Sequence, residues 1–147
     1  MAAVISEGTL SGILLRGVIA YIGTAVVFLL MDALYLRFVG GALYRAALGD
    51  YLAEPVRIGP AAAFYVIYVL GLVYFAVLPG IASGHWSAAL WRGAALGFFG
   101  YATYELTNYA TLARWTPVLV AADLLWGTIV SAVGATAGYA ALRLFLR

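Results

Sequence analysis

The sequence predicts an all-α integral membrane fold: a four-helix bundle with a short interfacial helix between the first two spans. Composition is the first observation behind this reading. Of 147 residues, 66% are hydrophobic and 10% charged, against about 45–50% and about 25% in an ordinary soluble domain. The second is four apolar stretches of about 20 residues, each enough to cross a hydrocarbon core of about 30 Å at about 1.5 Å per residue. The third is the clear polar or Pro/Gly break between successive stretches. A chain this short forms a single transmembrane domain with no room for a soluble domain beside it.

The first span runs from about Gly17 to Phe38, between Arg16 and Arg37, after a polar-spotted start at Ser6, Glu7, Thr9 and Ser11. It is as long as a membrane crossing and no small-residue cleavage pattern follows it, so no cleaved signal peptide is expected. In the connection from Val39 to Gly59, Leu43, Tyr44, Ala47, Leu48, Tyr51 and Leu52 recur at helical spacing, with Arg45, Gly49 and Asp50 opposite. That pattern predicts a short interfacial helix. The second span starts at Pro60, suited to a first helical position, and is expected to end at Leu78 before Pro79-Gly80. The third extends from Gly93 to about Ala113 and the fourth from Pro117 to about Leu142. The tight connection at Arg114 to Thr116 makes them an antiparallel hairpin.

Charge excludes one class of partner and leaves the orientation open. All eight basic residues are arginines, as GC-rich codon usage would give, and none cluster as they would to track a nucleic-acid backbone. Arg16, Arg92, Arg143 and Arg147 fall on one side of the bundle and Arg37, Arg45, Arg57 and Arg114 on the other, so the positive-inside rule gives a tie. Without cysteine there is no disulfide framework, thiolate metal site or cysteine nucleophile, and His85 is the only histidine. His85 reads as a solvated loop residue, and no metal, cofactor or catalytic group is assigned.

Three carboxylates fall inside the spans: Asp32, Glu105 and Asp123. Facing lipid unpaired, they would cost about 8–10 kcal/mol together. Glu105 lies nine residues before Arg114 and Asp123 nine after it, so the hairpin puts them at one level. Asp32, five residues before Arg37, belongs to the same half of the bilayer. Helical angle agrees: Gly93, Gly97, Tyr101, Tyr104, Glu105, Asn108 and Thr111 share a face opposite Leu96, Phe99, Leu106 and Ala110. Asp123, Gly127, Ser131, Gly134 and Gly138 share another, opposite Leu125, Ile129 and Ala132, and Tyr21, Ala25, Phe28, Asp32 and Tyr35 align in the first span. Small residues and acids therefore point inward together. Tyr65 and Tyr68 enter from the same side as hydroxyl donors, and Arg114, Arg57 and Arg37 are the nearest cations.

Simpler roles account for other residues. Asn108, Thr111 and Ser131 serve as interhelical hydrogen-bonding groups, and Gly93-xxx-Gly97 and Gly134-xxx-Gly138 as packing motifs. Trp86, Trp91 and Trp115 lie near span ends, where an aromatic belt explains them, whereas Trp126 lies a turn deeper than Asp123 and can wall a pocket. Asp32-Ala33-Leu34-Tyr35 and Asp123-Leu124-Leu125-Trp126 both read Asp-x-Leu-aromatic, a similarity too short for a duplication and read as coincidence or a shared packing need.

The segments FLLMDALYL (Phe28 to Leu36), YATYELTNYATL (Tyr101 to Leu112) and AADLLWGT (Ala121 to Thr128) resemble those of a bacterial family of small four-span membrane proteins, domain of unknown function 2177. The resemblance covers nearly the whole chain from about Ile19. In the family it resembles, the acid in the YATYxLTN segment is usually aspartate, and Glu105 is one methylene longer. The resemblance implies a multi-pass protein of the bacterial inner membrane and supplies no activity, substrate or cofactor.

The leading functional expectation is binding or transport of a small cationic, proton-donating or lipid-head-group ligand. Its polar pocket is lined by Asp32, Glu105, Asn108 and Asp123, with Tyr65, Tyr101, Tyr104 and Trp126 as walls, Arg114 beside it, and Val39 to Gly59 as a lid. Membrane lipids are the expected partners, with a homodimer completing the path. An accessory subunit of a larger membrane complex is the alternative, and a lipid-modifying enzyme the third reading; for the latter, no nucleophile or cofactor motif is visible.

Overall fold

The computed structural model describes residues 10–146. Ser6, Glu7, Thr9 and Arg147, which entered the reading of the termini and of the charge balance, lie outside the described residues. Among the described residues the chain is helical apart from short connections, with no strand. The helices are α1 (Leu10–Tyr35), α2 (Gly41–Leu48), α3 (Ile58–Leu72), α4 (Leu78–Ser83), α5 (Trp86–Thr111) and α6 (Pro117–Phe145). They assemble into four long rods, because π-helical turns at Leu36–Gly40 and Val73–Val77 join α1 to α2 and α3 to α4.

Both joins depart from the sequence expectation. The short helix expected in the connection is present as α2 but follows α1 without a break: α1, its π turn, α2 and a short 3-10 turn form one helical run of 42 residues, about 63 Å if straight. The second rod passes through Pro79-Gly80 and ends at Ser83. Pro79 lacks an N–H and its ring crowds the preceding turn. It is accommodated because it stands at the start of α4, directly after a widened π-helical turn. Gly84, in the left-handed conformation at φ 75°, then stops the rod.

α5 starts seven residues earlier than expected, at Trp86, and α6 runs past Leu142 to Phe145. At the hairpin, the Thr116 hydroxyl accepts from the Leu119 N–H at 3.2 Å and Pro117 opens the helix, so the turn is capped from within the sequence. Three of the rods are long and apolar enough to cross a membrane; α5 equals α1 in length but is not among them. Its C-terminal half carries Thr103, Glu105, Thr107, Asn108 and Thr111. The three threonine hydroxyls, exposed on the helix surface, donate to carbonyls four residues back at 2.5–2.8 Å, which satisfies them without a partner helix.

α6 is the centre of the bundle, packed along α1 on one side and α5 on the other. Its buried surface is consequently wider than one stripe. Ala132, expected on the outer face, is 9% exposed and lies against Gly93. Small residues set the close approaches. A Cβ on Gly97 would strike the Gly127 carbonyl oxygen, one on Gly127 would strike the Tyr101 ring, and one on Gly138 would strike the Thr24 hydroxyl. The apolar core of Ala20, Phe28, Val69, Leu72, Ala76, Val77, Val130 and Ala135 is buried between the rods, while Leu14, Val18, Phe75, Phe99 and Leu125 face outward. In water such an exterior would aggregate; in lipid it is the solvated surface.

The α5–α6 approach makes a direct prediction. Gly97→Ala should lower stability by about 1–3 kcal/mol by forcing the backbones apart. Gly17→Ala, where a Cβ meets nothing within 4 Å, should be neutral or stabilising by up to about 1 kcal/mol. Thermal unfolding of both proteins in the same detergent, followed by helical circular dichroism, measures the difference; equal melting temperatures would contradict this packing.

Candidate functional site

Asp32 and Tyr35 occupy one face of the end of α1, three residues apart, and Asp123 and Trp126 repeat that spacing near the start of the antiparallel α6. The two motifs interlock. Trp126 donates its indole N–H to Asp32 at 2.9 Å, and Tyr35 donates its hydroxyl to Asp123 at 2.6 Å. The Tyr35 and Trp126 rings stack between them, with centroids 4.5 Å apart and planes 6° from parallel. The sequence similarity between these segments is therefore a shared packing need: each helix supplies an acid to the other's aromatic donor.

Each of these acids has a second donor from another rod. Tyr65 of α3 donates to the other oxygen of Asp32 at 2.6 Å, and Tyr44 of α2 donates to the other oxygen of Asp123. Asp32 is 7% and Asp123 3% exposed. Among the described residues no arginine pairs with either acid; phenol and indole donors meet them instead, bringing hydrogen bonds to a carboxylate without a second desolvated charge.

Glu105 is fully buried. Its Oε2 accepts from the Trp115 indole at 2.7 Å, and its Oε1 has no hydrogen-bond partner. The hairpin register brings its carboxyl group toward that of Asp123. Gly97 meets Gly127 and Tyr101 lies over Gly127, so Glu105 stands about a turn from the level of Asp123. Side chains lean toward the N-terminus of their own helix, which in antiparallel neighbours makes these two converge. Trp115, assigned from sequence to an interfacial belt, is instead 6% exposed and packed edge-on against Tyr44 and Tyr104.

The acids border a cavity of about 640 Å³, a size typical of small-molecule sites. α1 contributes Asp32 and Tyr35; α2, Tyr44; α3, Pro60, Ala61, Phe64 and Tyr68; α5, Gly100, Tyr101 and Tyr104; α6, Asp123 and Trp126, with Leu36 at the π turn. The wall is aromatic and apolar apart from the two carboxylates and the phenol hydroxyls. α5 packs against the second half of its neighbouring rod, from Val73 to Ser83, but scarcely approaches the first half, α3. The cavity lies in that divergence, with Phe64 and Tyr104 exposed at its rim.

Of the residues singled out in the sequence, Asp32, Tyr101, Tyr104, Asp123 and Trp126 line the cavity. Tyr65 acts through its bond to Asp32, and Glu105 is buried beside Asp123 rather than in the wall. Asn108 lies off the cavity on α5. Arg114 is also outside it: its guanidinium pairs with exposed Asp50 at 2.5 Å, stands 4.2 Å over the Tyr51 ring and donates to the Leu48 carbonyl at 3.4 Å. That contact ties the end of α2 to the α5–α6 turn. Tyr35, Tyr44 and Trp115, which reach the acids or the wall, and Phe64 at the rim are the principal site residues that sequence reasoning missed. The repeated Asp-x-Leu-aromatic spacing signals Tyr35, whereas nothing local signals Tyr44 or Trp115. Among the described residues no group of histidine, cysteine and acidic side chains has the arrangement of a metal site.

The Glu105–Trp115 pair can be tested by substitution. Trp115→Phe leaves a buried carboxyl group without a donor and should cost about 1–3 kcal/mol. Glu105→Gln keeps an oxygen for the indole and should cost less. Replacing both as Trp115→Phe with Glu105→Leu should recover part of the loss, since removing both partners of a buried pair is milder than removing one. Thermal unfolding of the three variants reads this out; a double variant no more stable than Trp115→Phe alone would rule against the pairing.

Comparison with curated proteins and with solved structures finds no match. Residues 17–140, from the start of the first apolar stretch to the last turns of α6, match the family described as predicted membrane protein (DUF2177). The matched stretch contains all three acids, both Asp-x-Leu-aromatic segments and the α5–α6 hairpin, and the chain belongs to that family of membrane proteins of unknown function.

Proposed function

We propose that this protein is a four-span binding module of a bacterial inner membrane, whose acid-bearing end takes up a small cationic or proton-donating ligand, lipid head groups included. The observation that carries the reading is the charge character of the cavity. Two buried carboxylates, Asp32 and Asp123, border about 640 Å³ of space with no basic side chain among the described residues of the wall. Ionisable groups within membrane bundles commonly mark ligand or ion pathways, and cohesion alone can be had from uncharged hydrogen-bonding side chains at a lower cost of burial.

Two further features support it. The donors to the acids come from α1, α2, α3 and α6, so the carboxylates are held in fixed positions before any ligand arrives. The α2 segment, expected from sequence as a lid, contributes Tyr44 to the wall and is fastened by Arg114 to the hairpin turn. As a fourth crossing, α5 has the necessary length and lies antiparallel along α6, with Phe98, Phe99 and Leu106 outward.

Native mass spectrometry of the protein purified with its membrane lipids tests the reading. The parent chain should retain a bound small molecule or lipid at one per chain, and the Asp32→Asn, Asp123→Asn double variant should lose most of it while remaining folded. If parent and variant carry the same molecules in the same amounts, the carboxylates are not a binding site.

A further inference from the structure

The ligand chemistry can be narrowed, on the reading that the cavity is a binding site. We propose that it takes an alkylammonium, a positively charged nitrogen on an apolar chain, entering sideways from the lipid between α3 and α5.

The walls and the acids point to the nitrogen. Phe64, Tyr101, Tyr104 and Trp126 line one space with Asp32 and Asp123. Aromatic faces carry negative potential and attract a cation that is poorly hydrated, above all an organic ammonium. An inorganic ion needs a dense shell of oxygens to replace its water, and an apolar wall does not supply one. Anionic ligands are disfavoured by both carboxylates. Glu105 adds an independent observation: it is fully buried, its Oε1 meets no donor among the described residues, and its carboxyl group lies against that of Asp123. The acid cluster thus has more acceptor capacity than its tyrosine and tryptophan donors satisfy, a deficit that a cation beside Asp123 offsets.

The opening points to the chain. At the cavity, α3 and α5 diverge, and the rim residues Phe64 and Tyr104 are 42% and 52% exposed on the apolar exterior of the bundle. An amphiphile already in the bilayer reaches this gap by lateral diffusion, places its nitrogen against the acids and leaves its chain between the helices.

The test uses the full chain in phosphatidylglycerol nanodiscs at neutral pH, titrated calorimetrically with dodecylammonium, whose N–H groups can meet carboxylate oxygens, and with uncharged dodecyl maltoside, empty discs serving as blanks. Saturable one-site binding of the ammonium alone is expected. Phe64→Leu, which keeps an apolar side chain at the rim but removes the ring, should weaken it by about two- to fivefold; Asp123→Asn should weaken it by at least about tenfold. Comparable binding of dodecyl maltoside would overturn the ammonium assignment and leave a less selective pocket. No saturable binding of either probe to a chain that melts cooperatively would overturn this proposal together with the pocket itself. Equal affinity of the parent and both variants would place the ammonium elsewhere and overturn the assignment. Repeating the titration with phosphatidylethanolamine in the discs distinguishes sources. A weakened probe affinity there identifies a lipid amine head group as competitor and supports the proposal; an unchanged affinity supports it for free lipid-soluble amines.

Discussion

Burying a carboxylate away from water is tolerable only if its oxygens are met by donors, and in a bilayer those donors must come from the protein. The crossed pairing of Asp32 with Trp126 and of Asp123 with Tyr35 meets that demand between two antiparallel helices with one repeated motif. Because each acid depends on the opposite helix, neither helix can slide or rotate without breaking both bonds and the ring stack between them. Register, helix rotation and the position of two carboxylates are thereby fixed by the same four side chains.

The rest of the acid-bearing end is organised around this crossing. Tyr65 brings α3 to Asp32, and Tyr44 brings α2 to Asp123, so all the elements around the cavity except α5 are joined through an acid. α5 is held differently, by backbone contact with α6 at Gly97 and Gly127 and by the Tyr101 ring lying on Gly127. The two modes of attachment leave room between them. Where small residues draw α5 onto α6 the bundle is dense, and where aromatic side chains bridge to the acids the helices stand apart and enclose the cavity. Space and polar groups therefore coincide for a mechanical reason: large donors of fixed length act as struts.

How far the sequence reaches depends on the range of the interaction concerned. The acids at Asp32, Glu105 and Asp123 are legible because charge in an apolar helix has one physical consequence, withdrawal from lipid, and counting from the hairpin gives their depth. The inward faces are legible from glycine spacing. Trp115 was not, because a tryptophan near a span end looks like an interfacial anchor unless the course of the turn is known, and here the turn folds the ring back onto Glu105. The π turns were also hidden. Pro79 is a strong stop signal locally, and only the widening of the preceding turn lets the rod continue through it.

What the sequence alone determined is the solvent and the architecture: hydropathy selects lipid, apolar runs of spanning length dictate helices because their backbone groups must bond internally, and three acids require a shielded interior. The tertiary structure decided which donors meet those acids. The choice of tyrosine and tryptophan over arginine, the arrival of Tyr44 from a connecting segment and the gap between α3 and α5 are relations between residues tens of positions apart. Such relations depend on how whole helices pack, and no local pattern encodes the distance across which a side chain must reach.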